Sequence, residues 1–138
     1  LCDMGIEPFL VQSSVALAAA QRLLKRVCNN CKEPISVPDD VLHRIQYRGF
    51  DYLEDVQFVH GRGCSKCKDT GYRGRVGVVE AMVNWPELQP LVLQHASGQD
   101  IKDQAVECGM QTLRQNALAK AARGLTSIEQ VLEHTIAA

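Results

Sequence analysis

A mixed α/β fold is what the sequence predicts, and three observations carry that prediction. Residues 75–83, Arg-Val-Gly-Val-Val-Glu-Ala-Met-Val, are dense in β-branched side chains and read as a buried strand. From residue 84 onward, capping residues and glycines recur at short intervals and mark about four short helices. Between residues 28 and 74 lies a Gly- and Pro-containing stretch bounded by two Cys-x-x-Cys pairs. The chain has 138 residues, is 46% hydrophobic and carries a net charge of -1, which excludes intrinsic disorder and any global electrostatic case for nucleic acid. No apolar run reaches about 18 residues, so no membrane span is expected. The chain opens on Leu1 in the middle of an apolar pattern, so it is read as a piece of a longer protein.

Residues 5–27 begin with Gly5-Ile6-Glu7-Pro8, a helix start with Pro in the first turn. Their apolar run leaves two options open: one helix to about Arg26, or a helix ending near Val15 followed by a strand through Leu24. In the cysteine stretch, Asp39 and Asp40 are expected to cap a short helix over 41–47. Residues 56–59 read as a short strand. Past residue 84, Pro86 and Glu87 open a helix. Ser97 with Asp100, Thr112 with Gln115 and Thr126 with Glu129 read as capping boxes, and Gly109 and Gly124 end helices. Ile128, Val131, Leu132 and Ile136 fall on one face of the last helix.

The cysteines carry the chemistry. Cys28 and Cys31 form one pair, Cys64 and Cys67 the other, with 32 residues between them. Each pair points two sulfurs to one side of a tight loop. Two facing loops supply four thiolates in a tetrahedron, the geometry Zn²⁺ takes with sulfur at about 2.3 Å. Four protein ligands leave no open position, so the ion is structural. The stretch has few large apolar residues, and a metal supplies the stability that its small core lacks. Lys32, Arg62, Lys66, Lys68, Arg73 and Arg75 surround the pairs and offset the charge of -2 on a zinc tetrathiolate. The alternatives are two disulfides, disfavoured without a secretory signal, a redox Cys-x-x-Cys, and iron. His60 offers a substitute ligand, though a solvated loop histidine is the plainer reading. His43, His95 and His134 are expected at the surface or at helix ends, and Cys2 and Cys108 as small buried residues. No phosphate-loop motif, dinucleotide fingerprint or nucleophile elbow occurs, and no carboxylate pair stands out. No catalytic residue and no cofactor-binding residue is therefore assigned.

Several motifs occur in a characteristic order. They are Asp3-Met-Gly-Ile-Glu-Pro-Phe-Leu10, Ala20-Gln-Arg-Leu23, the two cysteine pairs, Thr70-Gly-Tyr-Arg-Gly-Arg-Val-Gly77 with Glu80, Gly109-Met-Gln-Thr-Leu113 and Gly124-Leu-Thr-Ser-Ile-Glu129. Together they resemble the C-terminal part of the secretion ATPases of bacterial type II secretion systems and the similar assembly ATPases of type IV pili. The likeness runs over essentially the whole chain. It implies that residues 1–27 are the last helix and strand of a RecA-like ATPase core, which favours the helix-then-strand option. Residues 28–74 would be a zinc-binding tetracysteine insert, 75–83 a strand returning to the core sheet, and 84–138 a C-terminal helical subdomain.

The resemblance further implies a hexameric cytoplasmic ATPase, peripheral at the inner membrane, that powers protein secretion or pilus assembly. Its partners would be neighbouring ATPase subunits and inner-membrane assembly proteins, with no nucleic acid. ATP and Mg²⁺ would bind the parent protein only, because the phosphate loop is absent here. Retraction ATPases resemble this chain at Gln21-Arg22-Leu23, the Gly74-Arg75 strand and Gly109-Met-Gln-Thr but usually lack the cysteine insert, so an assembly or export role is favoured. Arg22, Arg73 and Arg75 are expected near nucleotide, at a neighbouring subunit or in salt bridges, and the basic loop 62–75 either as a partner surface or as a solvated, charge-balancing loop. The rival function is a stand-alone zinc-ribbon module that binds nucleic acid or protein.

Overall fold

The computed structural model describes residues 1–45, 47 and 55–135. Its elements in chain order are α1 (Pro8–Ser14), β1 (Leu17–Val27), β2 (Lys32–Pro34), α2 (Asp39–Arg44), β3 (Val59–Gly61), β4 (Tyr72–Val83), α3 (Gln89–Leu93), α4 (Gly98–Glu107), α5 (Leu113–Ala122) and α6 (Ile128–His134). Helix and sheet are mixed, as expected. β1 pairs with β4 and β2 with β3. Asn84 N–H donates to Ala16 O at one end of the first pair, and Cys28 N–H to Gly71 O at the other, so β1 and β4 run antiparallel.

The choice left open for residues 5–27 falls to helix then strand. α1 starts with Pro8 at its first position, and Val15 returns to extended backbone. α2 begins two residues before the expected helix. Pro38 is its N-cap, and Asp39 and Asp40 sit in the first turn, where a negative charge suits the helix dipole, rather than capping it. Residue 46 of that expected helix lies outside the described residues. The strand expected over 56–59 forms instead at Val59–Gly61, because its partner Lys32–Pro34 fixes the register Lys32 to Gly61, Glu33 to His60 and Pro34 to Val59.

Contacts divide the chain into two compact units, one of residues 1–20 with 80–112, the other of 21–79 with 113–138. The first unit packs Leu88, Ala105 and Met110 as a small core, flanked by Met82, Trp85 and Ile101. Ser97 and Asp100 form the expected capping box on α4. After α4, Gly109 takes φ 103, which lets Met110 N–H reach Ala105 O and Gly109 N–H reach Val106 O. α3 ends in the same way on His95, a non-glycine at φ 54.

The second unit is built on Leu24, Val78, Leu118 and Val131, all fully buried, with Ile45, Phe58 and the alanines of α5. α5 is buried nearly all round at Ala117, Leu118, Ala119, Ala121 and Ala122. Tyr47 and Phe58 meet edge to face at 5.5 Å. The four helices expected after residue 84 are present, with their packing divided between the units. The last cap is shifted by one residue: Ser127, not Thr126, accepts from Gln130 N–H. Thr126 Oγ1 donates instead to Lys25 O at 2.8 Å, while Val27 N–H donates to Leu125 O and Lys25 N–H to Gln130 Oε1. The outer edge of β1 is thus closed by the α5–α6 turn, which satisfies backbone groups that an open edge leaves bare. That is why Gln130 is buried beside Val131 while Leu132, expected on the apolar face, is exposed. Ile136 lies outside the described residues.

Candidate metal centre

The two cysteine pairs are far apart along the chain and meet because of the β2–β3 hairpin. Cys31 directly precedes Lys32, and the partner of Lys32 is Gly61, three residues before Cys64. Arg62 N–H donates to Cys31 O at 3.0 Å and Cys28 N–H to Gly71 O at 2.9 Å, tying each loop to the other. The second loop is a tight turn. Cys64 is extended, residues 65–67 form one 3-10 turn, and Lys68 and Asp69 both take positive φ, 54 and 60. Cys67 N–H and Asp69 N–H donate to Cys64 O.

Two glycines make the crossing possible. A Cβ on Gly61 would lie 2.6 Å from the carbonyl carbon and the Cα of Gly71, and closer still to its oxygen. A Cβ on Gly71 would meet the Gly61 backbone in the same way. The backbones pass each other at a distance that only glycine permits.

The result is four sulfurs that all lie within 4.8 Å of one another. Cys28 and Cys64 are 3.9 Å apart, Cys31 and Cys67 3.8 Å, and Cys64 and Cys67 3.7 Å. A tetrahedron with Zn–S of about 2.3 Å has edges of about 3.8 Å. All six cysteines are free thiols, so these four stand at the spacing of ligands around one ion. Cys28, Cys31 and Cys67 are buried, and Cys64 is half-buried.

Hydrogen bonds onto the sulfurs complete the centre. Asn30 Nδ2 donates to Cys64 Sγ at 3.4 Å, Cys64 N–H to Cys67 Sγ at 3.2 Å and Gly71 N–H to Cys67 Sγ at 3.3 Å. Such donors orient thiolate ligands and take up part of their charge. In the metal-free chain they divide the thiols. Burial, helped by neighbouring thiols, pushes Cys31 up to about 12. Burial also raises Cys64, but the Asn30 amide and backbone donors outweigh it and hold that thiol at about 6. Cys67 is lowered against the same desolvation by backbone hydrogen bonds from Cys64 and Gly71. The centre thus holds some thiolate before any ion arrives.

Each of the four expected ligands is in the cluster, and His60 is not. Its Nε2 lies 3.8 Å from Glu33 Oε2, on the hairpin. His43, His95 and His134 are exposed, as read from the sequence. Cys2 and Cys108 are half-buried rather than buried, each near the surface of its unit. Lys32, Arg62, Lys66, Lys68, Arg73 and Arg75 are all exposed around the cluster. The salt bridges considered for Arg22, Arg73 and Arg75 do not form among the described residues, whose ion pairs join Glu33 to His60 and Arg62, and Glu133 to His134. Sequence reasoning missed Asn30, whose role depends on which way one loop residue faces. It also missed Gly61 and Gly71, which look like ordinary loop glycines until the two loops are superposed. Phe50 and Tyr52, two further aromatics of the insert, lie outside the described residues. No described helix is long and apolar enough to cross a membrane.

Residues 1–133 match the family model described as "Type II/IV secretion system protein". The chain is 39% identical over 135 residues to a type IV pilus assembly ATPase PilB of Myxococcus xanthus, covering 98% of this chain and 24% of that protein. It is 35% identical over 136 residues to the pilus assembly ATPase PilB of Thermus thermophilus, covering 99% of this chain and 15% of the relative. To a type II secretion system ATPase E of Vibrio cholerae it is 36% identical over 137 residues, 98% of this chain and 26% of the relative. The chain thus spans about a quarter or less of the length of these relatives. With a family match that runs from the first residue to within five of the last, the chain belongs to the type II/IV secretion system protein family.

Proposed function

We propose that this chain is the C-terminal, zinc-bearing part of a cytoplasmic ATPase that drives type II secretion or type IV pilus assembly. The observation that carries the reading is the four-sulfur cluster, set in a chain whose relatives bear those two names. Cys28, Cys31, Cys64 and Cys67 hold one Zn²⁺. The ion has no open coordination position, so its role is to brace the insert and not to activate a substrate. Residues 1–27 and 75–83 belong to the edge of a RecA-like core, and 28–74 is an appendage between neighbouring strands. The antiparallel β1–β4 pair, with the cysteine stretch inserted between its strands, supports that division.

ATP and Mg²⁺ bind elsewhere in the parent protein, which works as a hexamer at the inner membrane. The braced insert and the helices after residue 84 present rigid surfaces to neighbouring subunits and to membrane-embedded assembly proteins. The test is to replace Cys64 and Cys67 by Ser in the parent protein. Zinc content and pilus or pseudopilus assembly should fall together, while the isolated parent still binds ATP. Full assembly by a zinc-free variant would remove the proposed role.

A further inference from the structure

One feature beside the sulfur cluster is not used by the centre itself. The end of β1, the first cysteine loop, the second loop and the start of β4 enclose an open cleft of about 480 Å³. Arg26, Lys66 and Arg73 line it, with Asn29 and Asn30 along its wall and Cys28 at its floor. No carboxylate lines this cleft, and none of its three cations forms an ion pair among the described residues. All three are exposed, and they come from three separate segments.

We propose that this cleft docks an acidic peptide segment of a protein partner, with Asp or Glu carboxylates of the segment meeting Arg26, Lys66 and Arg73. The proposal rests on the metal reading in one respect, since the ion fixes the two loops that form the cleft. A zinc tetrathiolate carries -2 and the three cations carry +3, so the cleft stays net positive with the ion in place. The sulfurs are meanwhile served by Asn30, Cys64 and Gly71 N–H donors and do not depend on the cations for partners. Three cations without an aromatic ring suit carboxylates better than nucleic acid, which needs a longer run of phosphate contacts and stacking surfaces. A nucleotide base would find no apolar wall here, because Val27 is the lone hydrophobic residue beside Cys28 in the lining. The Asn29 amide is suited to the backbone of an extended segment.

The test uses a fluorescein-labelled hexaglutamate peptide, with fluorescence anisotropy on the zinc-loaded chain. Binding should weaken as salt rises. Each of Arg26→Gln, Lys66→Gln and Arg73→Gln should weaken it by up to about fivefold, the range of an exposed ion pair, and the triple variant by about tenfold or more. Arg44→Gln, an exposed cation away from the cleft, should leave it within about twofold. Zinc content, measured on every variant, separates the two proposals. Retained zinc with lost peptide binding supports the docking site. Loss of zinc from the triple variant would mean that the cations serve the metal centre, and would overturn it. So would unchanged binding by the triple variant, or binding of pyrophosphate or a random oligonucleotide in place of the peptide.

Discussion

Replacing Gly71 by Ala tests how closely the two cysteine loops cross at Gly61 and Gly71. Two costs are separable. Gly71 has φ +75, and an alanine held there costs about 1 kcal/mol in backbone strain. Its Cβ would also lie 3.0 and 3.1 Å from the carbonyl carbon and Cα of Gly61, and closer to the oxygen. Those are backbone atoms of a paired strand, so they yield only by moving β3, a displacement worth about 1–3 kcal/mol. The sum is about 2–4 kcal/mol. Gly74 supplies the control, with φ +84 and nothing within 4 Å of a built Cβ, so Gly74→Ala pays strain alone. Thermal unfolding of the zinc-loaded chain should show Gly71→Ala losing at least twice the Tm that Gly74→Ala loses. The first variant should also bind zinc about tenfold more weakly in a chelator competition, because Gly71 N–H donates to Cys67 Sγ and its carbonyl holds Cys28 N–H. Equal losses in the two variants would refute the close approach.

Further expectations are simpler. Thr126→Val removes the donor to Lys25 O and leaves a strand carbonyl unpaired beside a fully buried side chain, so urea unfolding should show a loss of about 1–3 kcal/mol. His95→Gly relieves a positive φ at the end of α3 and should raise stability by about 0.5–1 kcal/mol, read from the same curves. The thiols set the pH dependence. Cys31, raised to about 12, is still protonated at neutral pH, so zinc binding there must release its proton and affinity should rise with pH, measurable as protons released in weakly buffered calorimetry. In the metal-free chain, Cys64 at about 6 stabilises the fold above its ordinary value near 9, and that contribution is lost as pH falls through 6. Cys31 acts in the opposite sense. Its contribution is whole below 9 and is lost as pH rises toward 12.

Much of the site was legible because ligand chemistry is written in residue type and spacing. Two Cys-x-x-Cys pairs at this spacing point to a shared ion, and the structure brings their four sulfurs within 4.8 Å of one another. Both ends of α4 were legible from local signals, since Gly109 marks a stop by backbone preference and Ser97 with Asp100 marks a start. What was not legible depends on contacts distant in sequence. Thr126 looked like a cap, but its hydroxyl is claimed by Lys25 O across the unit, and the cap passed to Ser127. The strand near residue 59 moved because β2 chooses its register, which a four-residue apolar run cannot specify by itself. The helices after residue 84 read as one series, yet they pack into different units, because capping signals carry no information about which core a helix joins. Asn30 was silent for a similar reason: nothing about an asparagine between two cysteines says that its amide reaches the other loop.

If one ion joins Cys28, Cys31, Cys64 and Cys67, X-ray absorption at the zinc edge on the purified chain should find about one zinc per chain in a shell of four sulfurs at about 2.3 Å, with no nitrogen or oxygen ligand. A shell containing nitrogen, or a chain that folds with no metal and four freely reactive thiols at these positions, would contradict it.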